Sequence, residues 1–217
     1  MVTTASQNIQ PNFVSNRLLQ ALLLAYAGIW IWAAIDPIYR FDWFLENLLT
    51  FLAIFVLVAS YRHLPLSDLS YMLIFVFMVQ HAIGGHYTYS EVPFGFWLKE
   101  TFDLTRNHYD RIVHFSFGLL LAYPFKEVVQ RLVTKNEFTT SLFALTLVFT
   151  YSGGFEIIEW MVARIVDPKA GAAYLGTQGD EFDSQKDMAL AAGGALIALV
   201  LTSVFSTRAR KNNLRAD

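Results

Sequence analysis

The chain of 217 residues is 55% hydrophobic and only 16% charged, with 19 Phe, 10 Tyr and 5 Trp. A soluble domain carries roughly a quarter charged residues, so this balance points to a membrane protein. The formal charge of −2 argues against a nucleic-acid partner, and the absence of cysteine excludes disulfides, thiol nucleophiles and Cys-ligated metals.

Residues 1–16 are polar and lack a basic stretch ahead of a short apolar core, so no cleaved leader is expected there. From residue 18 onward, apolar runs of about 20 residues predict an all-α bundle of six transmembrane helices. The predicted spans are 18–35, 41–61, 69–83, 109–129, 141–163 and 188–205. They leave no room for a soluble domain, and residues 1–217 read as one integral membrane domain.

The third span is short and ends in Gln80-His81, with Gly84-Gly85 expected to break the helix. Beyond it, His86 and Glu91 lie in a linker whose Tyr87, Tyr89 and Trp97 suit the headgroup level. Such a segment can re-enter between spans where its backbone faces protein or a wet cavity. His86 is a candidate substrate contact, against the plainer reading of a solvated loop histidine. His63, at the other side, reads as surface.

Span four opens on Asp110, Arg111 and His114. Asp110 and His114 are four residues apart and share a helix face, so the acid can orient the imidazole as a base or as a metal ligand. The alternative is a capped helix entrance with His114 packed on a neighbouring span. Arg106 and Arg111 are candidates to hold a phosphate or carboxylate.

Span five carries Glu156 and Glu159 on one face, behind Gly153-Gly154, which would let another helix approach closely. Two such carboxylates share a proton, bind a cation or pair with Arg or His. In the plainer reading Glu156 pairs with Arg111, and Glu159 snorkels beside Trp160.

Span six is preceded by Asp180, Asp183 and Asp187, aligned at helical spacing. Ser184-x-x-Asp187 is also a capping-box pattern, with Asp183 or Ser184 as the cap. Capping leaves Gln178, Asp180 and Gln185 unaccounted for. Gln185 joins the candidate substrate contacts. A divalent metal ion, the one cofactor in view, would be bound by His114, Glu156, Asp183 and Asp187.

Orientation follows from the basic residues. Arg208, Arg210, Lys211 and Arg215 in the tail, Lys126, Arg131 and Lys135 between spans four and five, and Arg17 and Arg62 all fall on one side. Both termini are therefore expected in the cytoplasm. Residues 84–108 and 164–187 are expected outside.

Five stretches carry a resemblance: His86-Tyr87-Thr88-Tyr89-Ser90-Glu91-Val92-Pro93, Arg106-Asn107-His108-Tyr109-Asp110-Arg111, His114-Phe115, Glu156-Ile157-Ile158-Glu159-Trp160, and the run from Gly176 to Met188. In that order they resemble the bacterial YjdF-type inner-membrane family across nearly the whole chain. A fainter likeness is to VanZ-like membrane proteins. The family pattern often has Asp where this chain has Phe96, and Gly where it has Val113, so position 96 is no site candidate here. The resemblance implies a multi-spanning membrane protein and supplies no activity.

The function expected from these residues is a membrane-embedded enzyme acting on a lipid or lipid-linked substrate. His114, Asp110 and Glu156 are its candidate catalytic groups, in a pocket at the extracytoplasmic end. The alternatives are a small transporter or proton- or cation-coupled binding protein, and a structural membrane subunit. Neither Gly-x-Ser-x-Gly, His-Glu-x-x-His nor Glu-x-x-His is present to fix a reaction.

Overall fold

The computed structural model describes residues 13–166, 171 and 174–213. Among them a short 3-10 turn, Phe13–Ser15, precedes seven α-helices, and there is no strand. The helices are α1 (Arg17–Ala34), α2 (Arg40–Ser60), α3 (Asp68–Tyr87), α4 (Pro93–Thr101), α5 (Tyr109–Leu132), α6 (Glu137–Ile165) and α7 (Asp183–Asn213). All but α4 are long and apolar enough to cross a membrane.

Local chemistry sets several helix starts. Asn16, Ser67 and Asn136 each turn a side-chain oxygen to a backbone N–H of the first turn, capping α1, α3 and α6. One expectation for the linkers is corrected. Gly84-Gly85 does not break α3, which continues to Tyr87 and ends with Thr88 and Tyr89 at positive φ. Gly84 instead makes room for the returning Tyr89: a Cβ there would lie 2.5 Å from the Tyr89 ring. The following segment forms α4, too short to span at about 1.5 Å per residue. It packs extensively against none of the long helices. Buried Asn107 tethers it, donating to Val92 O at 3.0 Å, and Phe94, Phe96 and Trp97 remain exposed.

Helix α5 is the hub, packed on α3, α6 and α7. Its tightest partner is α7, and the reason is size. Gly118 and Ala122 on α5 meet Ala191 and Ala195 on α7, and Gly194 of α7 meets the α5 backbone at Phe115 and Leu119, the small-residue packing that lets backbones touch where lipid supplies no hydrophobic drive. This close approach was expected at Gly153-Gly154. There, a Cβ on Gly153 would make only ordinary contact with Met188 Sδ at 3.4 Å, and Gly154 faces open space.

Helix α2 packs on α3, leaving a cavity of about 570 Å³ between α2, α3, α5 and α6. Its walls are almost wholly apolar, Leu49, Ala53, Phe117 and Phe155 among them. It runs from Leu64 and Leu66 near one end of the bundle to His81, Tyr89 and His114 near the other.

Candidate functional site

Alternation of the spans brings the C-terminal ends of α3 and α6 to the same end of the bundle as the N-terminal ends of α2, α5 and α7. There α5 contributes Asp110 and His114, one turn apart. His114 Nε2 lies 3.5 Å from Asp110 Oδ1 and 3.5 Å from Glu156 Oε1 of α6. Asp187 of α7 closes the group: one ligand atom from each of Asp110, His114 and Asp187 falls within 4.8 Å of the other two. Asp187 and Glu156 are 2% and 8% exposed, yet Asp187 Oδ1 and Glu156 Oε1 have no hydrogen-bond partner among the described residues. The Ser184 side chain lies against the Glu156 carboxylate. Glu159 stands within electrostatic reach of Asp110, Glu156 and Asp187.

A capping box does not account for Asp187. The helix already begins at Asp183, so Ser184 is inside the first turn, and Asp187 is one turn further in. Asp180 forms a turn just ahead of the helix, accepting from Phe182 N at 3.1 Å.

Above this group lies a layer of arginines. Arg106 is 5% exposed and grips both oxygens of Asp183. It also donates to Thr177 O at 3.0 Å, Gly176 O at 3.3 Å and, at the limit of 3.5 Å, Asn107 O. A guanidinium has five N–H donors, and these contacts occupy all of them. Arg106 therefore straps the segment before α7 to the start of α5 and keeps no donor for a substrate. Gln178 fastens the same strap by exchanging two bonds with the Asn107 backbone, at 3.0 and 2.9 Å.

Arg111 differs. It reaches Asp180 and, at 3.2 Å, Asp183, while its Nε is buried without a partner among the described residues. It pairs with those aspartates; the expected alternative had paired it with Glu156. Lys186 completes the outer edge on Asp180 at 2.5 Å, and with Arg111 holds that carboxylate down at about 2. Beside the arginines, partial burial and their positive charge lower the His108 imidazole, favouring its neutral form.

Residues 18–208 match the family described as "Predicted membrane protein (DUF2238)". The chain belongs to the DUF2238 family. It is 33% identical over 195 residues to "Inner membrane protein YjdF" of Escherichia coli (strain K12), covering 89% of this chain and 90% of that relative. No solved structure matches it.

In this DUF2238 member a second polar group adjoins the first, joining His81 to two carboxylates that the sequence did not single out. Glu46 of α2 is buried with Oε2 unpartnered, and Asp42, one turn earlier, accepts from the Thr88 hydroxyl at 3.1 Å. His81 Nε2 lies 3.2 Å from Glu46 O and its Nδ1 2.5 Å from the Tyr89 hydroxyl. Burial holds the Tyr89 phenol protonated, well above its usual range. The signal was available: Asp42 and Glu46 are carboxylates at i, i+4 inside an apolar span.

Two DUF2238 site candidates are placed elsewhere. His86 is held by α1, with Nδ1 3.0 Å from Ala33 O and its ring 4.6 Å from that of Trp32. Gln185 is exposed on α7, two residues and therefore about 200° from Asp183 and Asp187. Glu91 and His63 are exposed as well. At the opposite end of the bundle, Glu127 accepts from Ser67 N at 2.9 Å and from its hydroxyl at 2.9 Å, capping α3 from across the fold.

Proposed function

We propose that this protein is a membrane-embedded enzyme acting on a lipid or lipid-linked substrate in a bacterial inner membrane. One observation carries the reading. The apolar cavity of about 570 Å³ ends at His81, Tyr89 and His114, beside buried carboxylates that each keep an oxygen without a hydrogen-bond partner among the described residues. A hydrocarbon chain is the natural occupant of such a slot, and its polar head would then lie against the site. His114, with Asp110 and Glu156 both 3.5 Å from its Nε2, stands at the reactive centre as a general base or as a metal ligand. Arg111, with its unpartnered Nε, holds an anionic group of the substrate. The polar groups gather at one end of the bundle, whereas transport sites tend to lie near the midplane.

Lipid extracts test this. Cells lacking the protein should accumulate at least one lipid or lipid-linked species, and His114→Gln at normal abundance should fail to clear it. An unchanged lipid profile overturns the enzyme, and a defect in cation uptake in its place would carry the transporter reading.

The site faces outward in this reading, and both termini lie in the cytoplasm. The motive is the basic excess at residues such as Lys126, Arg131 and Lys135. Reporters after Asp217 and at Ala170, both outside the described residues, should signal cytoplasm and exterior respectively. A cytoplasmic signal from Ala170 would reverse the orientation.

A further inference from the structure

We propose that Asp110, His114 and Asp187 bind one divalent metal ion of the zinc class, with Glu156 beside its open fourth position. The inference deepens the enzyme reading and rests on it only for the place of the site.

Geometry comes first. Bonds of about 2.1 Å around a tetrahedral ion put ligand atoms roughly 3.4 Å apart. His114 Nε2 stands 3.5 Å from Asp110 Oδ1, and Asp187 offers an oxygen within 4.8 Å of both partners. The spacing exceeds that of an ordinary N–H···O bond, about 2.7–3.2 Å. Glu156 Oε1 lies at the same 3.5 Å from the same nitrogen. One imidazole nitrogen carries at most one proton and cannot donate fully to carboxylates from two helices. A cation can serve both.

The unpartnered Asp187 oxygen is independent of that spacing. Asp187 is 2% exposed and its Oδ1 has no hydrogen-bond partner among the described residues, while Glu156, 8% exposed, has only the long 3.5 Å approach of His114 Nε2 at its Oε1. A buried carboxylate without a partner lacks what normally offsets its desolvation. The nearby arginines are engaged elsewhere, Arg106 on Asp183, Thr177 and Gly176, and Arg111 on Asp180 and Asp183. Asp183, so engaged, is left out of the ligand set, and Asp110 stands in its place. One imidazole and two carboxylates with an open position suit a zinc-type catalytic centre. Calcium would call for roughly six to eight oxygens. In the lipid reading such an ion would lower the pKa of a bound water, and Glu156 is placed to take the proton.

The test uses the full-length protein in detergent, stripped with a chelator and titrated with Zn²⁺, with metal per chain read by elemental analysis. Wild type should retain one ion per chain. Asp187→Asn and His114→Gln should each weaken binding on the order of 100-fold. Asp110→Asn replaces either variant if it fails to reach the membrane. Glu156→Gln should bind zinc like wild type while losing function. Absence of stoichiometric zinc, or equal retention by wild type and the ligand variants, overturns the site. Loss of zinc from Glu156→Gln overturns its assignment beside the fourth position. Zinc is read without substrate, so its failure is distinct from that of the lipid reading, which the lipid profile decides.

Discussion

Gly118→Ala should sharply reduce both the amount of folded protein in the membrane and its melting temperature, and Gly154→Ala should reduce neither. A Cβ on Gly118 would fall 1.7 Å from the Ala191 carbonyl oxygen and 2.8 Å from Ala195 N. Gly194 is locked reciprocally, since its Cβ would lie 2.2 Å from Phe115 O. These obstacles are backbone atoms, so no side chain can swing aside. Alanine in place of glycine favours a helix by about 1 kcal/mol, which works against the predicted loss. Overpacking a tight interface costs about 1–3 kcal/mol or more, and here α5 and α7 must separate as whole helices. The cluster of Ala122, Ala144, Val148, Ala191 and Ala195 would open with them. The steric term wins. Equal abundance and melting of Gly118→Ala and Gly154→Ala would show that the two helices do not touch as described.

Arg106→Met should be the most damaging single change around the site, through stability rather than substrate affinity. Arg106 and Asp183 are 5% and 4% exposed. Removing one partner of a buried ion pair strands the other charge and typically costs about 3–5 kcal/mol. Arg111 touches the same carboxylate at 3.2 Å and offsets part of that loss. The double change Arg106→Met with Asp183→Leu should recover a good part of the stability, because no stranded charge remains. Arg106→Lys should rescue incompletely, since an ammonium cannot reproduce the forked grip on Asp183 together with Thr177 O and Gly176 O. Melting of the detergent-solubilised variants reads all three. Full stability of Arg106→Met with a selective loss of function would restore Arg106 as a substrate contact.

How legible each feature was depends on the range of the interaction behind it. The six spans were readable from the sequence because a span is a local property, about 20 apolar residues in a row. Helix periodicity likewise made it readable that Asp110 and His114 share a face, and that the ionisable residues of spans three to six crowd one end. Local rules failed where a distant residue decided the outcome. Gly84-Gly85 reads as a helix break, yet α3 continues through it and Tyr89 folds back over Gly84. Gly153-Gly154 and Gly118 look alike along the chain; only the position of α7 makes Gly118 the close contact.

The same holds within the site. Arg106 and Arg111 are equivalent as isolated residues, and they part company because the carbonyls of Thr177 and Gly176 arrive from about 70 positions away to fill the donors of Arg106. Asp183 and Asp187 share a face of α7, but one lies under the arginines and the other faces His114. Sequence by itself determined the membrane class, the spans and the end of the bundle where charge collects, because hydropathy and helical spacing act over one or two turns. Which carboxylates are neutralised by arginine, which are left without a partner, and where the apolar cavity meets them were decided by helix packing. A hydrogen bond or ion pair depends on ångström-scale positions of residues far apart in the chain, and no local pattern encodes those.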